Sequence, residues 1–186
     1  MMIKNAVCCI GLSVALISVA MSEEKNALKV TNGDFSDLTE LEQRADGWYA
    51  GVPAGWTAPD PNGDTNQYAI HNRSGNFVAN VSTLSQIQPS FVALEQEVGE
   101  LPATGEVKLT FLLEEPWHDD PDFLMGAAIY DCLTSIPLAA GDFNSSGTHT
   151  LVANNISAGT RIKIGFWNAR GFTALDDVVV TFKPDK

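Results

Sequence analysis

Short segments in which apolar residues occupy every second position recur along most of this chain. The clearest is residues 105–115, where Val107, Leu109, Phe111 and Leu113 alternate with mostly polar residues. Side chains two positions apart lie on the same face of a β-strand, so this pattern predicts a strand with one buried face. No segment of similar length has the periodicity of an amphipathic helix, and the chain is therefore predicted to be all-β.

The predicted strands follow one another at intervals of roughly 8–12 residues, which is typical of a two-sheet β-sandwich. Residues 123–133 are nearly all apolar, so their strand is expected to be buried on both faces. Residues 36–46 are charged and predict a helical turn or an irregular loop. One sandwich domain is expected to fill residues 23–186. The predicted strands are residues 27–31, 67–71, 76–81, 91–98, 105–115, 123–133, 136–139, 147–153, 160–167 and 173–182.

The last predicted strand, residues 173–182, carries an acidic residue among apolar ones. Alternation places Val178 and Val180 on the buried face and Leu175 on the opposite face. Asp176 shares the parity of the two valines and is therefore expected to point toward the core. A buried carboxylate needs a partner, and few Lys or Arg residues lie near this one in the sequence. A bound cation and a hydrogen bond from a backbone amide are the two candidate partners.

The N-terminal residues 1–22 have the organisation of a secretory signal. Lys4 precedes an apolar run at residues 6–20, and the small residues Ala20 and Ser22 follow it at the positions that a signal peptidase reads. The run is too short to span a bilayer comfortably. We therefore expect cleavage after about Ser22 and a secreted or extracytoplasmic protein without a membrane span.

The charge and the cysteine content limit the possible partners and the source of stability. The chain has a formal net charge of −12 and no basic stripe, which argues against nucleic acid and anionic membranes as partners. Neutral ligands and cations are compatible with this charge. After cleavage Cys132 is the one remaining cysteine, so the fold must rest on core packing, with or without a bound metal.

Several aromatic residues lie beside glycines or charged loops and are candidates for stacking on a ligand. The faces of aromatic rings pack on the C–H faces of sugar rings, while nearby amides and charged groups bind the hydroxyls. Trp56, which follows a Pro-Ala-Gly turn, is instead expected in the core. The aromatic candidates are Trp48, Tyr49, Trp117 and Trp167, and the polar candidates are Gln67, Asn168 and Arg170.

Residues 114–122 combine five acidic residues with one His and one Trp. A solvated loop explains this composition, and a second cation site or a carboxylate pair for glycoside cleavage are the alternatives. The sequence contains no Gly-x-Ser-x-Gly elbow, no His-Glu-x-x-His motif and no phosphate-binding loop. The sequence therefore favours a protein that is not an enzyme.

Three short motifs resemble those of one known group of domains. They are residues 30–36 (Val-Thr-Asn-Gly-Asp-Phe-Ser), residues 55–56 (Gly-Trp) and residues 175–179 (Leu-Asp-Asp-Val-Val). In order and spacing they are similar to those of galactose-binding-like jelly rolls, especially the carbohydrate-binding modules of xylanases and cellulases. The resemblance implies a jelly-roll sandwich that binds polysaccharide or another glycan and does no chemistry.

The same resemblance implies a structural calcium ion that ties the first strand to the last. Carried over by position, its ligands are the carbonyls of Asn32 and Gly33, the side chain of Asp34, and Asp176, with Asp177 as the alternative. Hard oxygen ligands of this kind suit calcium. Two other functions stay open at this point: an adhesive or structural surface protein that contacts other proteins, and a small glycan hydrolase or lyase.

Overall fold

The computed structural model describes residues 28–44, 47–58, 69–81, 94–114, 123–170 and 174–186. In these ranges the chain forms two antiparallel β-sheets and no α-helix. The predicted all-β, two-sheet sandwich is confirmed. The predicted signal at residues 1–22 lies outside the described residues. No helix in the described part of the chain has the length and apolar character that a membrane span requires.

One sheet has seven strands in the order β1-β2-β3-β4-β11-β6-β9, and the other has four in the order β5-β10-β7-β8. All the pairings between these strands are antiparallel. The strands are β1 (Glu42–Gln43), β2 (Trp48–Ala50), β3 (Ala69–Arg73), β4 (Asn76–Asn80), β5 (Leu94–Glu100), β6 (Gly105–Glu114), β7 (Leu124–Asp131), β8 (Pro137–Phe143), β9 (Gly147–Ile156), β10 (Arg161–Arg170) and β11 (Ala174–Pro184).

The core lies between the inner faces of the two sheets and contains a group of aromatic rings. Phe111 of β6 and Phe166 of β10 meet edge to face across the sandwich, with ring centroids 5.2 Å apart. Trp56 packs 6.0 Å from Phe166 and is only 5% exposed, which confirms its predicted place in the core. Full burial of each such side chain contributes about 1.5–3 kcal/mol, so these rings contribute strongly to the stability of the sandwich.

The opening segment was predicted as a strand at residues 27–31, but residues 28–31 have no strand pairing of their own. They run beside β5 instead. The Lys29 N–H donates to the Val98 carbonyl at 2.8 Å. The buried Gln96 side chain accepts from the Thr31 N–H at 2.6 Å and donates to the Thr31 carbonyl at 2.9 Å. A side-chain amide therefore replaces a rung of the backbone ladder, which strand periodicity does not reveal.

The strand predicted at residues 123–133 is shorter in the structure. Residues 125–129 are buried, as predicted for a strand covered on both faces. β7 ends at Asp131, whose side chain accepts a hydrogen bond from the Leu133 N–H, and a turn follows. Leu133 is consequently 75% exposed although it continues the apolar run.

The start of β11 faces differently from the prediction. Leu175 pairs with Leu113 of β6, and both residues are fully buried in the core. Asp176 pairs with Leu112, which is only partly buried. Directly paired residues of an antiparallel sheet lie on the same face, so Asp176 lies on the outer face of the sheet. The prediction that Asp176 is buried is confirmed, but the predicted sides of Asp176 and Leu175 were wrong.

A β-bulge causes this difference. The register of β11 against β6 shifts between Asp176 and Val179, and Asp177 within the bulge has a φ of 48°. An extra residue in one strand reverses the parity of the residues that follow. Val178 within the bulge and Val180 beyond it are buried as predicted.

The role of Gln96 can be tested against its neighbour on β5. Gln96→Ala is expected to lower the free energy of unfolding by about 1–3 kcal/mol, because it removes a buried amide together with both of its hydrogen bonds to the Thr31 backbone. Glu97→Ala removes an ion pair with Arg161 in which both side chains are 45% exposed, and its cost is expected to stay below about 1 kcal/mol. Urea unfolding followed by tryptophan fluorescence measures both. Equal losses of unfolding free energy in the two variants would show that the Gln96 amide does not replace a backbone hydrogen-bonded pair.

Candidate functional site

Trp167 lies on the outer face of the four-stranded sheet. Its neighbour Phe166 is fully buried, so alternation along β10 turns Trp167 outward. Trp167 pairs with Gly126 of β7, and a Cβ added to Gly126 would overlap the indole ring. The ring therefore lies directly over the Gly126 backbone, in a position that only glycine permits. Trp167 is half-buried in this arrangement.

The same face carries a second aromatic ring and an ion pair. Lys163 Nζ lies 2.9 Å from Glu95 Oε2 and 5.6 Å from the centroid of the Tyr130 ring. The small residues Ala128 and Gly165 pair with each other and lie between this group and Trp167. Four residues of strand separate the levels of Trp167 and Tyr130, which corresponds to roughly 13 Å. We call the surface formed by Trp167, Tyr130, Lys163 and Glu95 the Trp167 face.

Two features fix the hydrogen-bonding groups of the Trp167 face. Burial raises the pKa of Tyr130 above its usual value, Lys163 lowers it and Glu95 raises it, so at neutral pH the phenol keeps its proton and can donate it. The side chains of Lys163 and Glu95 are 21% and 22% exposed. Such partly buried ion pairs are held more firmly than exposed ones, and their remaining donors and acceptors point in defined directions.

The outer face of the seven-stranded sheet carries a different aromatic pair. Trp48 of β2 pairs with His71 of β3, and their ring centroids are 4.5 Å apart. Tyr49 points to the other side, where it packs against the core with its ring 6.3 Å from Phe77. The prediction that Tyr49 contacts a ligand beside Trp48 therefore conflicts with its position, because adjacent residues of a strand face opposite ways.

A polar network continues from this aromatic pair. Arg73 Nη1 lies 2.8 Å from Glu114 Oε2. Asn76 Nδ2 donates to Glu114 Oε1 at 2.7 Å and to Asp176 Oδ2 at 3.0 Å. The second Asp176 oxygen accepts from the Asp177 N–H at 2.7 Å. These contacts hold the tip of the β3–β4 hairpin onto β6 and β11. We call Trp48, His71, Arg73, Asn76 and Glu114 the Trp48 face.

Asp176 lies beneath this network and is only 2% exposed. Burial raises its pKa to about 6, against the lowering effect of the hydrogen bonds from Asp177 and Asn76. The nearby carboxylates of Asp177 and Glu114 raise it further. The acid of the closing motif therefore changes charge in a mildly acidic range, unlike an ordinary exposed Asp.

The predicted ligand residues do not form one group. Trp48 and Trp167 lie on opposite outer faces of the sandwich. Asn168 is fully buried, pairs with Met125 in the core and accepts a hydrogen bond from the Arg170 N–H, and this position conflicts with its predicted contact with a ligand. Arg170 is exposed at the end of β10. Trp117 and Gln67 lie outside the described residues.

The opening turn does reach the closing strand, as the resemblance implied. The Gly33 carbonyl accepts from the Val178 N–H at 2.9 Å. A Cβ on Gly33 would clash with the Val178 carbonyl, so this approach requires glycine. The Asn32 carbonyl accepts from the Trp56 indole N–H at 3.1 Å. The predicted closeness of the opening segment and the last strand is confirmed.

The carboxylates proposed as calcium ligands are engaged separately. Asp34 is exposed and accepts hydrogen bonds from the backbone N–H and the hydroxyl of Ser36, whereas Asp176 accepts from Asn76 and Asp177. Asp177 is exposed. Within the described ranges no group of three or more His, Cys, Asp or Glu side chains is placed to hold a metal. The calcium ion, whose proposed ligands include the backbone carbonyls of Asn32 and Gly33, stays a prediction from the resemblance.

No protein-family model and no curated protein matches the chain. It is similar to several solved structures. One contains the CBM22-1 and GH10 modules of endo-1,4-beta-D-xylanase 10B from Clostridium thermocellum, complexed with xylohexaose, with 17% identity and a TM-score of 0.40 over 76% of this chain. This chain spans 27% of that structure, about the share of one module.

Two further similar structures are single domains. The K1 cleaved adhesin domain of Lys-gingipain from Porphyromonas gingivalis W83 has 13% identity and a TM-score of 0.45, over 75% of this chain and 98% of that one. The CBM22-1 xylan-binding domain of Xyn10C from Paenibacillus barcinonensis has 10% identity and a TM-score of 0.43, over 75% and 94%. Carbohydrate-binding modules of xylanases are thus among the similar structures, as the sequence motifs predicted.

The titration of Asp176 is expected to appear in the pH dependence of stability. Between its ordinary pKa of 3.8 and about 6 the folded chain binds a proton at Asp176 that the unfolded chain has released. The contribution of Asp176 to the free energy of unfolding therefore falls as the pH rises through this window. Asp176→Asn has no such proton. Its free energy of unfolding should therefore increase relative to that of the wild type between pH 4 and pH 7, as measured by urea unfolding.

Asp177→Asn is the matched control, because it removes the exposed acid next along the chain. Its difference from the wild type should change little over the same pH range. If Asp176→Asn instead follows the pH profile of the wild type, Asp176 has an ordinary pKa.

Proposed function

We propose that the protein is an exported, non-catalytic domain that binds neutral carbohydrate on the Trp167 face. The observation that carries this proposal is the indole of Trp167, which lies over the backbone of Gly126 and occupies the space that a Cβ would take there. One side of the ring is fixed against the sheet, and the other side is turned toward a ligand. A ring that is already in place loses little conformational entropy when a sugar stacks on it.

The polar groups beside Trp167 supply the contacts that sugar hydroxyls need. Lys163 and the protonated Tyr130 donate hydrogen bonds, and Glu95 accepts them. Ala128 and Gly165, which pair with each other and are both buried, separate these groups from the indole. This combination of a flat aromatic surface with a few directed polar groups is what a carbohydrate site requires.

The overall charge favours a neutral ligand over an acidic one. The net charge of −12 repels polyanions at a distance. The Trp167 face itself has one positive and one negative group in contact. We therefore propose neutral polysaccharides as the ligands, and the N-terminal signal predicted at residues 1–22 supports a location where such polymers occur.

Trp167→Ala is expected to weaken polysaccharide binding roughly tenfold, which corresponds to about 1.4 kcal/mol of lost stacking. The domain should stay folded, since the indole lies outside the core. Pull-down with xylan, galactan and β-glucan gives the ligand, and the quenching of tryptophan fluorescence measures the affinity. Unchanged binding by a folded Trp167→Ala variant would remove this face from the proposal.

Gly126→Ala tests the placement of the ring without touching it. The added methyl group occupies the space of the indole and should lift the ring from the sheet, so weaker binding is expected although Trp167 is still present. Gly141→Ala on the neighbouring strand β8 is the matched control, because the atoms nearest to its Cβ are in the Phe143 ring, at 3.3 Å, and the Leu151 side chain, at 3.7 Å. If both variants bind alike, the contact with Gly126 does not serve binding.

A further inference from the structure

We propose that the Trp48 face is a second, separate site for the same class of neutral carbohydrate, so that one molecule holds two glycan chains at once. This inference rests on the proposed function and extends it from attachment to cross-linking. It follows from two observations: the opposite directions of the two faces and their matching chemistry.

The two indoles point away from each other. Tyr49, the neighbour of Trp48, packs against the core from the seven-stranded sheet, and Phe166, the neighbour of Trp167, does so from the four-stranded sheet. Both tryptophans therefore lie on outer faces, with the whole core between them. Packed sheets are about 10 Å apart, and the side chains add to this distance. A single sugar ring cannot contact both indoles.

Each face combines the same two components. Beside Trp167 lies the ion pair Lys163–Glu95, with side chains 21% and 22% exposed. On the other sheet Arg73 follows His71, the stacking partner of Trp48, by two positions and shares its face. The ion pair Arg73–Glu114 has side chains 26% and 20% exposed.

Other ion pairs among the described residues are more exposed. The side chains of Arg161 and Glu97 are both 45% exposed, and those of Arg44 and Glu42 are 48% and 70% exposed. The ion pairs of the Trp167 face and the Trp48 face are therefore the more buried ones, and partial burial orients their donors and acceptors. A half-buried aromatic ring with an oriented ion pair offers stacking and hydroxyl contacts to an uncharged sugar.

Asn76 and Asp176 hold the Trp48 face together. Asn76 donates both to Glu114 and to the buried Asp176, and this bond ties the hairpin tip that carries Arg73 to β11. Asp176 is thus a positioning residue, because it acts through Asn76 and is itself almost fully buried. The network is complete before any ligand arrives, which lowers the entropic cost of binding.

Two sites on opposite faces would allow one molecule to bind two polysaccharide chains. When one face holds a polysaccharide chain, the other face can hold a neighbouring chain, and many molecules along one polymer raise the avidity between chains. The protein then acts as a cross-link within a glycan layer. A domain with one site would only attach itself to the polymer.

The experiment uses the processed chain and beads coated with whichever of xylan, galactan or β-glucan it binds best. Wild-type protein is expected to clump the beads, and Trp48→Ala and Trp167→Ala should each abolish clumping. Each single variant should still bind the coated surface, and the double variant should not. Calorimetry with a soluble oligosaccharide of the same sugar should give two sites per chain for the wild type and one for each variant.

Other results separate the two proposals. Loss of all binding in Trp167→Ala, together with unchanged clumping in Trp48→Ala, would leave the proposed function standing and overturn the second site. Clumping by Trp48→Ala would also overturn the second site, since a dimer with one site per chain would clump the beads as well. Absence of binding by the wild type to all three polysaccharides would contradict the proposed function itself.

Circular dichroism checks the fold of each variant, and Glu114→Gln provides a second test of the Trp48 face if Trp48→Ala unfolds. Glu114→Gln keeps the shape of the side chain and removes the ion pair with Arg73, so it should reduce the calorimetric stoichiometry toward one or weaken the second site at least several-fold. Lys183→Ala, at an exposed position of β11 seven residues beyond Asp176, is the control and should bind as the wild type does. Unaltered two-site binding by Glu114→Gln would exclude the ion pair from the site.

Discussion

A continuous row of aromatic contacts through the core determines most of the architecture. Phe35 of the opening turn meets Trp56 at 5.5 Å, and Trp56 meets Phe166 at 6.0 Å. Phe166 then meets Phe111 at 5.2 Å, and Phe111 meets Phe143 at 5.1 Å. The row joins the opening turn to both sheets, and its rings fix the inward side of β6, β8 and β10. Because strand neighbours face opposite ways, Phe166 in the core also directs Trp167 outward.

Much of this arrangement follows from the sequence, because strand periodicity and burial are local properties. The alternation at residues 105–115 and the apolar run at residues 123–133 predict β6 and β7 to within two residues at each end. Periodicity fails where a tertiary contact replaces a regular one. Gln96 substitutes for backbone pairing beside Thr31, and the bulge at Asp176 reverses the parity of β11. Neither feature leaves a periodic signal.

The candidate sites could be predicted only in part. The sequence identifies Trp48 and Trp167 as rings beside glycines or charges, but the sheet order that puts them on opposite faces depends on long-range pairing. Tyr130, Lys163 and Glu95 were missed because they come from three strands. Gly126 was the available signal, since a glycine inside an apolar strand often marks a close approach by another group. Gly126 pairs with Trp167 of β10, which was already a candidate ligand residue.

Asp176 shows why a charged residue persists beneath the Trp48 face. Burial of a carboxylate costs free energy, and its raised pKa is the measure of that cost here. A leucine would fill the same space without this cost but would leave the amide of Asn76 with one partner fewer. That amide joins the β3–β4 hairpin to Glu114 and hence to β6. Asp176 therefore lowers the stability of the sheet but fixes the position of the β3–β4 hairpin. The outer face is ordered at the expense of stability.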